Sequence, residues 1–133
     1  MARQAANKGS YPFSAPGTAY PSTPALKFRV HSPGKLQAQI LNIGKAQLNP
    51  ASASNDLTMK IQVSADDGVL DPWTDLNPDG AVAPDVTVVP DGEEWQNWSI
   101  GPQQYVRVLA FGNAYGQLET SWGGKDELQL MEF

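Results

Sequence analysis

Residues 57–76, LTMKIQVSADDGVLDPWTDL, decide the fold. Leu57, Met59, Ile61 and Val63 alternate with Thr58, Lys60, Gln62 and Ser64. A period of two sends one set to a buried face and the other to a wet face of a β-strand. Asp66-Asp67-Gly68 then ends the strand in a turn, because Gly adopts a positive φ without steric cost and Asp tolerates unusual backbone angles. Trp73 opens the return segment Trp-Thr-Asp-Leu.

The same pattern repeats outward from this stretch. Leu26, Phe28 and Val30 form one alternation. Leu36, Ala38 and Ile40 form the next, after a turn at Ser32-Pro33-Gly34. Residues 86–89 make a short strand closed by Pro90-Asp91-Gly92, and residues 94–100 carry Trp95 and Trp98. Those two tryptophans are three apart, so a regular strand points them to opposite faces and at least one belongs to the core. Residues 104–111 are apolar on both faces, as in a central strand. Residues 115–122 and 127–133 bring the expected total to about eight strands. Residues 49–55 and 71–84 read as polar loops, and no segment has a helical period. The prediction is one all-β domain over residues 26–133, a single β-sandwich or jelly roll.

Residues 1–25, MARQAANKGSYPFSAPGTAYPSTPA, differ from the rest. Pro12, Pro16, Pro21 and Pro24 remove backbone donors and fix φ, which opposes both helix and central strand. An extended N-terminal arm is expected, with polyproline-like stretches. Tyr11, Phe13 and Tyr20 are unusual in such a segment, because disordered linkers are poor in aromatics. They are the candidate partner-binding residues of an arm that docks on a neighbour. The competing readings are a loose tail and an arm packed on its own domain.

The totals narrow the function. The chain has 133 residues, suited to one domain, with 12 Gly and 11 Pro punctuating short apolar runs. Fourteen acidic against nine basic residues give a net charge of −5. The basic residues are scattered, so nucleic-acid binding is not expected. The chain lacks cysteine, which excludes disulfides, thiolate zinc sites and thiol nucleophiles. The N-terminus carries no continuous apolar segment of the signal-peptide kind, and no apolar run reaches the ~20 residues a membrane span needs. The expectation is a soluble protein made without Sec-type export, or one whose signal was removed, with no membrane partner.

Each candidate for chemistry has a simpler explanation. His31 is the sole histidine, so it cannot build a multi-His metal site, and no Gly-x-Ser-x-Gly elbow accompanies it. Asp66, Asp67, Asp79 and Asp91 lie at or beside glycines, where turn chemistry accounts for them. Glu93 and Glu94 flank Trp95, yet the paired carboxylates of glycoside hydrolysis must face each other across a cleft. Residues 75–80, DLNPDG, match the first half of a calcium loop, but its twelfth position is Val86 instead of a bidentate Glu. No phosphate loop of the GxxxxGK type is present. The expectation is therefore no enzyme, no cofactor, no metal and no catalytic residue. Trp73, Trp95, Trp98 and Trp122 leave a sugar-stacking platform as the main rival reading.

The strand, Asp-Asp-Gly turn and Trp-Thr-Asp-Leu return of residues 57–76 resemble small β-sandwich structural proteins of tailed-bacteriophage virions. The segment GPQQYVRVL at 101–109 fits the same pattern, a Gly-Pro turn followed by a Tyr-x-Arg-x-hydrophobic strand. The resemblance covers roughly the second half of the chain and is one of strand grammar. It implies a capsid decoration (cement) protein on the virion surface, made in the host cytoplasm. Its implied partners are the major capsid protein and neighbouring copies of itself, for instance in a trimer. Alternatives are a carbohydrate-binding β-sandwich, as a virion knob or host-glycan adhesin, and a phage tail component.

Overall fold

The computed structural model describes residues 3–6, 8–43, 56–112 and 115–131. They form eleven strands: β1 (Arg3–Ala6), β2 (Lys8–Ser14), β3 (Leu26–Val30), β4 (Gly34–Asn42), β5 (Leu57–Ser64), β6 (Thr74–Leu76), β7 (Val86–Val88), β8 (Glu93–Ile100), β9 (Gln104–Phe111), β10 (Tyr115–Trp122) and β11 (Leu128–Met131). The eight expected strands are all present, and no helix occurs among the described residues.

The pairing follows one rule. β1 pairs with β11, β2 with β10, β3 with β9 and β4 with β8, all antiparallel. The first four strands thus match the last four in reverse order, as in one long folded hairpin. Its strands fall alternately into two sheets, ordered β1-β11-β3-β9-β5-β6 and β2-β10-β4-β8, with β7 also paired to β5. This is jelly-roll topology. β5, β6 and β7 come from the tip of the hairpin and widen the first sheet beyond β9.

The period-two pattern fills the space between the sheets. Phe28, Val30, Leu57, Met59, Ile61, Val106 and Val108 from the larger sheet meet Leu36, Ile40, Trp98 and Leu118 from the smaller, all fully buried. Each large side chain removed from water contributes about 1.5–3 kcal/mol.

Residues 1–25 require a correction. Their described part is not an arm separate from the domain. β2 is an edge strand hydrogen-bonded along β10, and β1 closes the edge of the other sheet. Tyr11 and Phe13 are only 4% and 9% exposed and belong to the core. The Tyr11 ring meets Phe28 edge-on at 5.3 Å. Phe13 covers Gly116, where a Cβ would come within 2.6 Å of the ring. Pro12 occupies the exposed side of the same strand. An edge strand tolerates proline because only one of its sides must donate to the ladder. The expected boundary after residue 25 therefore does not separate tail from domain, and the third strand outside the expected eight is the short β6, which falls in the Trp-Thr-Asp-Leu return.

Candidate docking surfaces

Three surfaces are built by this fold, and the first is the turn between β5 and β6. Asp67 and Gly68 both have positive φ, 61° and 80°, as a type I′ turn requires. The Asp66 carboxylate accepts the N–H groups of Val69 at 3.1 Å, Leu70 at 2.8 Å and Asp71 at 3.1 Å. Ser64 Oγ accepts the Gly68 N–H and donates to the Asp71 carbonyl. The Asp71 carboxylate accepts the Ala65 N–H in return. The bonds to Asp66, led by the Leu70 N–H, outweigh the opposing effect of burial and hold its carboxyl below the usual range. A rigid loop results, and it presents Val69 and Leu70 to solvent at 77% and 88% exposure. Gly68 is required twice over, since a Cβ there would also strike Trp73 Nε1 at 2.5 Å.

The second surface is the outer face of the larger sheet. Strand register places Lys27, Arg107, Gln62 and Asp75 in one cross-strand row. Arg107 Nε donates to Gln62 Oε1 at 2.9 Å, and Gln62 Nε2 donates to Asp75 Oδ1 at 2.8 Å. Lys60 pairs with Asp75 at 3.0 Å, and Lys27 with Asp67 at 3.0 Å. Aromatic rings also cover three cations: Trp73 lies 4.4 Å from the Arg107 guanidinium, Tyr20 4.6 Å from Lys60 Nζ and Tyr105 5.1 Å from Arg29. Tyr20 also packs edge-on against Phe111 and donates its hydroxyl to Asp85, and burial with that carboxylate pushes its phenol well up. Lys27 and Arg29 of β3 thus share one face with Lys60 and Arg107 from distant strands, where the chain's own carboxylates and rings engage them.

The third surface is the outer face of the smaller sheet. Ser10, Glu119, Gln39 and Trp95 form one cross-strand row, and Lys8, Ser121, Gln37 and Asn97 form the next. Gln39 donates to Glu93, and Gln117 donates to Ser10. Trp95 is 58% exposed here, whereas Trp98 is fully buried on the inner face, as their spacing of three requires. The free edge of β8 is partly covered: the Asp79 N–H bonds the Asn97 carbonyl at 2.7 Å, and Asp79 accepts from Lys35 at 2.7 Å and from Ser99.

The remaining sequence candidates occupy structural positions. His31 follows the end of β3, where its N–H and that of Ser32 bond the Asp126 carboxylate at 2.9 and 3.0 Å. Burial opposes ionisation of Asp126, but those backbone bonds prevail and lower its pKa. Asp75 and Asp79 point to separate partners, Gln62 with Lys60 and Lys35 with Ser99, so the half calcium motif does not converge. Glu93 and Glu94 are exposed next to each other on β8. An open pocket of about 330 Å³ between the end of β2 and residues 21–25 is lined by Ala, Pro, Ser and Thr side chains only. Of the three partner-binding candidates, Tyr11 and Phe13 face inward, and Tyr20, in the connection between β2 and β3, is half-buried over the larger sheet. Sequence reasoning missed Val69 and Leu70, whose signal was two aliphatics directly after a tight turn. It also missed the amide row, whose signal was glutamine at alternate positions, Gln37 and Gln39, beside the buried Leu36, Ala38 and Ile40.

Comparison with known proteins found nothing similar: no family model, no curated protein and no solved structure matches this chain.

Proposed function

We propose that this chain is a structural virion protein, most specifically a capsid decoration protein of a tailed bacteriophage. It binds the outer surface of the major capsid protein shell and stabilises it. The observation that carries this reading is the rigid turn presenting Val69 and Leu70. Two neighbouring aliphatics on a preorganised loop form an anchor for a protein pocket, because little conformational freedom is lost on docking. Burying each contributes about 1.5–3 kcal/mol. Repetition over a symmetric shell converts such modest contacts into high occupancy, since neighbouring copies raise the effective concentration. Further support comes from the strand grammar shared with small virion sandwiches, and from jelly rolls being a recurrent architecture of viral capsid domains.

The test is sedimentation of the full-length protein with undecorated shells. Val69→Asp combined with Leu70→Asp changes only solvent-exposed side chains, so the fold should persist. We expect occupancy by the wild type and at least a tenfold loss of affinity in the double variant, equivalent to about 1.4 kcal/mol. Failure of the wild type to bind, or equal binding by the variant, overturns the proposal.

A further inference from the structure

The two broad faces of this molecule differ in chemistry. On the larger sheet, the chain's own rings and carboxylates engage the polar groups. On the smaller sheet, amides and hydroxyls face solvent beside one exposed indole, and only Gln39 and Gln117 among the amides are engaged there by the chain's own side chains. We infer that this second face is a binding site for a neutral, hydroxyl-rich polysaccharide, with Trp95 as the stacking platform and Gln37, Gln39, Asn97, Gln117 and Glu119 as its polar floor.

The geometry supports this occupant. Trp95, Gln39 and Glu119 are direct cross-strand neighbours. Adjacent strands lie about 4.8 Å apart, so the row from Trp95 through Glu119 to Ser10 is about 14 Å long, a length suited to a short run of sugar rings. A sugar ring offers an apolar C–H face to an indole and hydroxyls around its rim. Each hydroxyl both donates and accepts, and each side-chain amide does the same. The hydrogen bonds from Gln39 to Glu93 and from Gln117 to Ser10 hold two of those amides in place before any ligand arrives. Charge argues against an anionic chain. Glu93 and Glu119 lie on this face, Asp79 already pairs with Lys35, and Lys8 is the one further cation, so the face carries no positive excess. A protein partner would need more apolar surface, since interface anchors are mostly aromatic or aliphatic and this face has one exposed ring.

The site is independent of the shell-binding reading, because Trp95 and the Val69–Leu70 turn belong to different sheets. Affinity electrophoresis of the full chain in native gels containing xylan, hydroxyethylcellulose or galactomannan tests it. We expect retardation by at least one of them. Trp95→Ala should reduce the affinity about tenfold or more, while Trp95→Phe retains most of it. Asn97→Ala should weaken binding with an unchanged thermal melt. The Val69→Asp, Leu70→Asp variant should be retarded like the wild type. No retardation by any of the three, or equal retardation of the Trp95→Ala protein, overturns the inference.

Discussion

Tyr11 carries the correction to the N-terminal segment. Its ring is buried against Phe28, and its hydroxyl lies beside Thr120 without a well-formed hydrogen bond among the described residues. A buried polar group without a partner costs free energy, whereas the ring contributes it. We expect Tyr11→Phe to leave thermal stability unchanged or to raise it. Tyr11→Ala should cost about 3–5 kcal/mol, the usual range for emptying an aromatic core site. Paired denaturant titrations check both. The signal for this burial was present in the chain: Tyr11, Phe13 and Ala15 alternate with Pro12 and Ser14 at strand period. Proline masked it, because an exposed position on an edge strand and an extended linker accept proline equally well. An aromatic in such a segment reads alike whether it enters its own core or a neighbour's, and only the pairing of β2 with β10 distinguishes the two.

Among the elements, the turns depend most on ionised carboxylates. Asp66 accepts three backbone N–H groups, and Asp126 accepts two. Asp75 is held low chiefly by the bond from Gln62, and Asp79 chiefly by Lys35. All four therefore have folded-state pKa values below the unfolded reference of about 3.9. Their stabilisation is fully present above that reference and is lost as pH falls through the lower folded values. Calorimetry should show a melting temperature that holds from pH 7 to about 5 and drops toward pH 3. Asp66→Ala should also speed hydrogen exchange at the Val69, Leu70 and Asp71 amides without altering exchange in β9. Strands with clear alternation, such as β3, β5 and β7, were legible from sequence. β6 was legible only as the return after the turn: its three residues sit among Asp, Asn and Pro, and pairing to β5 holds it. The convergence of Lys27, Lys60 and Arg107 was equally hidden, since strand register sets it and local sequence does not.

For the whole molecule, reverse-order pairing makes the first and last described strands structural. β1 and β2 contribute one edge of each sheet. Deleting residues 1–14 should expose β10 and β11 and empty the sites of Tyr11 and Phe13. We expect that truncated chain to lack cooperative unfolding by circular dichroism; a native-like melt would mean that the remaining nine strands suffice. The functional claim is settled most directly by cryo-electron microscopy of the mature particle. We expect jelly-roll density on the outside of the shell, with the turn at Val69 and Leu70 seated against the capsid protein. A shell map with no such density, and the chain located in the tail, would contradict it.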